Sequence, residues 1–153
     1  MKILVTGGTG FIGGHLLPAL ADDDAYNLER YMTTRYAQGF RRHVKTVFAD
    51  LRDAHAVRGV IREVKPDVVI HLASISPVAY SYDHPQEVIE ASLTATVNLA
   101  EACLRDVPHF KQFLFASTSE TYGNGPVPKT EDTPQRPNSP YAVGKLAAEN
   151  YLL

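Results

Sequence analysis

A short apolar run, Lys2–Thr6, breaks directly into Gly7-Gly8-Thr9-Gly10-Phe11-Ile12-Gly13. No other feature of the 153-residue sequence constrains its fold as much. A run of Ile, Leu and Val reads as a buried strand, and the glycines after it read as a tight turn. Phe11, Leu16, Leu17 and Leu20 then recur at helical spacing, which puts a helix over residues 11–21. Pro18 must lie late in that helix or kink it, because proline has no N–H to donate.

The same alternation continues along the chain. Asp22-Asp23-Asp24 reads as a solvated turn, residues 28–33 as a second strand, and residues 36–43 as a charged loop or short helix. Lys45–Phe48 reads as a third strand. Over residues 53–64, Ala56, Val57, Val60, Ile61 and Val64 share one helical face, and Pro66 stops the helix. A fully buried fourth strand follows at 67–72. Pro85 opens a long helix to about residue 105, and residues 110–116 form a fifth strand. Pro126, Pro128, Pro134 and Pro137 punctuate a long loop. The last helix covers residues 139–153, with Ser139 as N-cap and Pro140 in its first position. Strands alternating with helices predict an α/β fold: a doubly wound parallel sheet of the Rossmann type. Right-handed crossovers give it the strand order 3-2-1-4-5, in one domain over residues 1–153.

In such a sheet Gly7, Gly10 and Gly13 have separate tasks: a tight turn, close approach of backbone to a pyrophosphate, and close helix–strand packing. The helix N-terminus adds unpaired N–H groups and a positive dipole end. A dinucleotide cofactor is therefore expected. The tail of the second strand selects between cofactors, because an acid there holds a ribose 2'-hydroxyl and repels a 2'-phosphate. Met32-Thr33-Thr34-Arg35 contains no acid, and the Arg35 guanidinium suits a phosphate, so NADP is favoured over NAD. Asp50, at the end of the third strand, is placed either to accept from an adenine amino group or to cap the helix that begins near Asp53.

Tyr141 and Lys145 lie four residues apart, one helical turn, and so share a face. A tyrosine is a poor base at its ordinary pKa of about 10, and a neighbouring ammonium lowers that value. The pair can then take a proton from a substrate hydroxyl. It follows a fifth strand that ends in Ser117-Thr118-Ser119-Glu120, and ligands bind at the carboxyl ends of parallel strands.

Composition excludes several other classes. The formal net charge of -2 makes no electrostatic case for nucleic acid or an anionic membrane. The longest apolar runs, such as Val68-Val69-Ile70, are strand-sized, and a strand starting at Lys2 leaves no room for a signal peptide. The single Cys103 sits in a helical apolar pattern with Leu99 and Ala102 and reads as core, which fits a reducing, cytoplasmic location. The histidines are scattered without metal-ligand spacing.

Four ordered motifs carry a family resemblance: Thr6 to Gly13, His71-Leu72-Ala73, Ser117 to Gly123, and Ser139-Pro140-Tyr141 to Lys145. Together they resemble the extended short-chain dehydrogenase/reductase family, whose members epimerise, dehydrate or decarboxylate nucleotide sugars. The resemblance implies Tyr141 as catalytic base, Lys145 as its partner, and Thr118 as the hydroxyl that binds the reacting sugar oxygen. It implies a cofactor lined by Gly7, Gly10, Phe11, Ile12, Gly13, Asp50, Leu51, Leu72, Ala73, Ser74 and Ser117, together with Tyr141 and Lys145. It implies a nucleotide-sugar substrate and a homodimer. Glu120 resembles the glutamate of GDP-mannose 4,6-dehydratases, which takes the C5 proton once C4 is oxidised. The same Thr-Ser-Glu run also resembles UDP-glucuronate decarboxylases, and similar runs occur in epimerases. A 4,6-dehydratase is the leading expectation, with 4-epimerase, decarboxylase and a non-catalytic dinucleotide-binding module as alternatives.

The chain departs from the family pattern at two places. Ser92 stands where an Asn is usual, and Ser76-Pro77-Val78 stands where many dehydratases have Ser-His-Val. Family members also run to roughly twice this length. The expectation is a cofactor-binding half that binds its dinucleotide weakly and does not turn substrate over alone.

Overall fold

The computed structural model describes residues 1–20, 22–31 and 44–153. Along the chain run β1 (Lys2–Thr6), α1 (Phe11–Ala19), β2 (Asp24–Glu29), β3 (Lys45–Phe48), α2 (Ala54–Val64), β4 (Val68–His71), α3 (Val78–Asp83), α4 (Pro85–Ile89), a π-helical turn (Glu90–Thr94), α5 (Ala95–Asp106), β5 (Gln112–Phe115), a 3₁₀ turn (Ser119–Tyr122) and α6 (Pro140–Leu152). These fall into two compact units. The first is Met1–Ala73 with Asn98–Ala116, and the second is Ser74–Val97 with Ser117–Leu153.

The first unit is the expected sheet. All strand pairings are parallel, in the order β3-β2-β1-β4-β5. Alternation along the strands sends side chains to both faces. Leu4, Leu28 and Val69 pack with Val57, Ile61 and Val64 of α2 and with Leu99 and Cys103 of α5. Ile3, Val5 and Ala25 pack with Leu17 of α1 on the other face. Cys103 is buried in the first cluster, and burial pushes its thiol up to about 12, so it is inert core. Asp53 caps α2, its Oδ1 accepting from the N–H groups of His55 (2.9 Å) and Ala56 (3.1 Å). Asp50 is therefore not the cap.

The second unit sets α3, α4 and the π turn beside α6. Its buried positions include Ser81, Val88, Ser92, Ala95 and Thr96, with Tyr141, Ala142, Gly144, Lys145 and Ala148 of α6. Ser139 caps α6 as expected, accepting from the Ala142 N–H at 3.1 Å, with Pro140 first in the helix.

Three expectations shift. First, β2 begins at Asp24 and ends at Glu29, four residues short of the expected Thr33. Its register, from Lys2↔Asp24 to Thr6↔Leu28, is set by pairing with β1. Strand propensity disfavours Asp and Asn, which hid this strand start. Second, the helix expected over 85–105 is not uniform, because the π turn interrupts it. Third, α3 and the 3₁₀ turn were not anticipated; both are shorter than two helical turns, too short for periodicity to register. The expectations for Ala21, for residues 32 and 33 of the second strand, for residues 36–43 and for Arg35 lie outside the described residues. Among the described residues, no helix is long and apolar enough to cross a membrane.

Candidate active site

In the first unit, Gly7 adopts φ +74°, and a Cβ there would lie 2.9 Å from the Ala73 backbone. Only glycine serves at such a position. Gly13 is required for a different reason: its Cβ would come within 2.5 Å of the Gly7 carbonyl oxygen. The turn closes with the Gly10 N–H donating to Gly7 O at 3.0 Å. Two more of its amides are taken by β2. The Gly8 N–H donates to Asn27 Oδ1 at 3.1 Å, and the Thr9 N–H to Glu29 Oε1 at 2.8 Å. The first intrahelical bond of α1 runs from Gly14 N–H to Gly10 O at 2.8 Å. The N–H groups of Phe11, Ile12 and Gly13 therefore have no partner within the helix. Gly10, the N-cap, places no side chain across them. Three converging donors at a positive dipole end, with nothing covering them, fit a pyrophosphate.

The strand ends around this turn are held in place. The Thr6 hydroxyl lies 2.6 Å from His71 Nδ1 and accepts from the Ala73 N–H at 3.2 Å. With its lone pair so engaged, the hydroxyl donates to Nδ1, which assigns the His71 proton to Nε2. His71 is buried at the end of β4, as expected, and not in a cluster of metal ligands; no such cluster occurs among the described residues. Leu72 N–H donates to Thr6 O at 3.2 Å, and Leu51 O accepts from Asn98 Nδ2 at 3.0 Å.

In the second unit, Tyr141 and Lys145 are both buried, at 8% and 2% exposure, on one stripe of α6. Thr118 caps the 3₁₀ turn, its hydroxyl oxygen 3.2 Å from the Glu120 N–H. The same hydroxyl is hydrogen-bonded to the Tyr141 phenol, and the Glu120 charge acts on that phenol. Thr118, Glu120 and Tyr141 are thus brought together, with Lys145 one turn along α6. Ser74 Oγ lies 3.4 Å from Ser92 Oγ, and Ser117 Oγ is buried with no hydrogen-bond partner among the described residues.

Residues 4–153 match the family model described as GDP-mannose 4,6 dehydratase. The chain belongs to the nucleotide-sugar epimerase/dehydratase family. Among its relatives is a UDP-glucose 4-epimerase of Mycolicibacterium smegmatis, 36% identical over 167 residues, covering 99% of this chain and 50% of the relative. The structure is similar to that of a UDP-glucose 4-epimerase of Thermotoga maritima with UDP-glucose, with a TM-score of 0.90 and 29% identity, covering 99% of this chain and 50% of that one. It is also similar to a Thermus thermophilus UDP-glucose 4-epimerase complexed with NAD, with a TM-score of 0.85 and 36% identity over the same shares, 99% and 50%. The chain spans about half the length of these relatives.

Two expectations for this epimerase/dehydratase family member need correction. The tail of β2 is not free of acid: the strand ends on Glu29. The segment that carried the NADP expectation lies beyond that end, and Arg35 is outside the described residues. The signal was present in the sequence, since Asn27 and Glu29 alternate with Leu28 at strand period, but it needed the correct strand end. The Tyr141 phenol, moreover, is held above its usual value rather than below it. Burial is the main cause and the Glu120 charge adds to it, while the Thr118 hydrogen bond opposes them. Spacing announces a neighbouring ammonium but not the desolvation that outweighs it. Lys145 is itself pulled down to about 8, mainly by burial, with Glu149 acting in the opposite direction.

Asp50 is tied up by arginines. Arg52 holds both of its oxygens, at 3.1 Å through Nε and 2.8 Å through Nη2, and Arg30 Nε approaches at 3.1 Å. The Arg52 hydrogen bonds are the main reason its carboxyl falls to about 2. The side chain is an anion with little accepting capacity left over for an adenine amine.

Proposed function

We propose that this chain supplies the dinucleotide-binding and proton-handling residues of an NAD-dependent enzyme that modifies a nucleotide sugar through a transient 4-ketone, and that the reaction is a 4,6-dehydration. The observation that carries this reading is the Thr118–Tyr141 hydrogen bond with the Glu120 charge acting on the same phenol. A hydroxyl positioner, an acid/base phenol and a separate carboxylate make a set suited to two different proton removals from one sugar.

When bound, NAD supplies a hydride acceptor for the sugar C4 and later the donor that reduces C6. The chain's residues handle protons. Tyr141 takes the C4 hydroxyl proton while Thr118 orients that oxygen. Lys145, largely an ammonium at neutral pH, favours the phenolate by its charge. Glu120 removes the C5 proton, now acidic beside the ketone, and passes it to the departing C6 hydroxyl, so that water leaves. The amides of Phe11, Ile12 and Gly13 would bind the pyrophosphate. The choice of NAD over NADP rests on Glu29, whose carboxylate at the end of β2 suits ribose hydroxyls and repels a 2'-phosphate. The Thermus thermophilus structure, which contains NAD, supports it.

A 4-epimerase is the second reading, favoured by relatives that carry that name. Incubating the longest polypeptide the gene encodes with NAD and GDP-mannose, UDP-glucuronate or UDP-glucose, then weighing the products, separates the possibilities. Loss of water from GDP-mannose is the expected result. A sugar converted at unchanged mass identifies an epimerase, and loss of carbon dioxide a decarboxylase. Cofactor binding without turnover of any nucleotide sugar overturns the enzymatic reading.

A further inference from the structure

Glycine in the middle of a helix costs about 1 kcal/mol relative to alanine. Gly144 sits in the middle of α6, between Tyr141 and Lys145, where a helix former would be favoured on propensity alone. What it faces explains its presence. A Cβ at Gly144 would lie 3.2 Å from Ser92 Cβ, 3.3 Å from Ile89 Cα and 3.5 Å from Ser92 Oγ. The first two are tighter than ordinary van der Waals contact, and Ile89 Cα is backbone, which cannot swing aside.

Ser92 is buried at 1% exposure and lies inside the π-helical turn Glu90–Thr94. Such single π turns within a longer helix are frequent at functional sites. Here the widened turn leaves its carbonyl for another donor: Thr96 Oγ1 donates to Ser92 O at 2.6 Å. Ser74 Oγ, 3.4 Å from Ser92 Oγ, holds the serine from its other side. The π turn thus presents a small, fixed notch, and the one residue of α6 without a side chain enters it.

The geometry points to Gly144 as a positioning residue for the Tyr141–Lys145 couple, seated in the notch that the π turn forms at Ser92. The inference rests on the proposed acid/base role of that couple, and it concerns what fixes the couple in place. Tyr141, Ala142, Gly144, Lys145 and Ala148 are all buried on α6, so the helix has no slack on that side. A methyl at residue 144 must push α6 away by a few tenths of an ångström. Tyr141 and Lys145 move with it, and water gains access to Lys145.

The test follows the Cε chemical shift of Lys145 against pH in ¹³C-labelled full chain, for wild type, Gly144→Ala, Ser92→Gly and the double variant. Circular dichroism checks each fold. The wild-type midpoint should lie near the value of about 8 set mainly by burial. Gly144→Ala should raise that midpoint by about half a pH unit or more as desolvation is relieved. Adding Ser92→Gly, which removes the Cβ and hydroxyl the new methyl meets, should bring it back toward wild type. A Gly144→Ala protein that loses thermal stability but keeps the wild-type midpoint has a packing glycine only, and the proposal fails. If Gly144→Ala does not fold, a folded double variant supports the notch, and an unfolded one overturns it. The titration needs no substrate. A moved midpoint in a protein without turnover leaves this inference standing while the enzymatic reading falls, and turnover with an unmoved midpoint does the reverse.

Discussion

Lys145 is an ammonium buried to 2% exposure, and its burial is a stability statement as well as a catalytic one. Its folded-state value of about 8 lies below that of an unfolded lysine. Between the two values the unfolded chain binds the extra proton, so raising the pH through this window stabilises the fold. Relative to Lys145→Met, the wild type should therefore gain stability from pH 8 to pH 10.5, by an amount on the order of 3 kcal/mol at most. Urea midpoints of both proteins at each pH measure it, and a constant difference between them refutes it. At this scale the identities of Tyr141 and Lys145 were legible from spacing alone. The direction of the Tyr141 shift was not, because desolvation depends on every group packed over the phenol. Glu29 was illegible for a similar reason: its importance follows from being the last residue of β2, and the end of β2 is set by its pairing with β1.

Elements were legible where the apolar period was long and the ends were marked. Helix α2 has both marks: a strongly amphipathic face and an Asp cap. Asp53→Ala should destabilise the protein by about 1 kcal/mol, because two amides lose their acceptor, and Asp53→Asn should retain most of that stability. Thermal unfolding reads both, and an alanine variant as stable as wild type would show the cap to be idle. Residues 85–105 show the limit of this approach. Their pattern is helical throughout, and nothing in it distinguishes a π turn at Glu90–Thr94 from continued α-helix. The extra residue is accommodated because Gly144 fits against it, a contact between segments about fifty residues apart in sequence (a separation no local window spans).

Across the whole molecule the proposed cofactor choice becomes a bulk property. A ligand that binds only the folded state stabilises it, by about 2.7 kcal/mol when present at a hundred times its Kd. The melting temperature should rise with NAD concentration and rise less with NADP. Glu29→Gln, which keeps an acceptor for the Thr9 N–H but removes the charge, should narrow the gap between the two cofactors. NADP protecting the wild type as well as NAD does would refute the role given to Glu29. The sequence by itself determined the parallel sheet, its strand order, the glycine turn and the four motif residues Thr118, Glu120, Tyr141 and Lys145. Those follow from periodicity, from glycine's freedom and from fixed spacings, all local quantities. Tertiary structure alone decided where β2 ends, that Asp50 is taken by arginines, which way the buried phenol titrates, and why α6 carries a glycine. Each of these depends on which distant groups exclude water or occupy space beside a residue, and no local pattern encodes that.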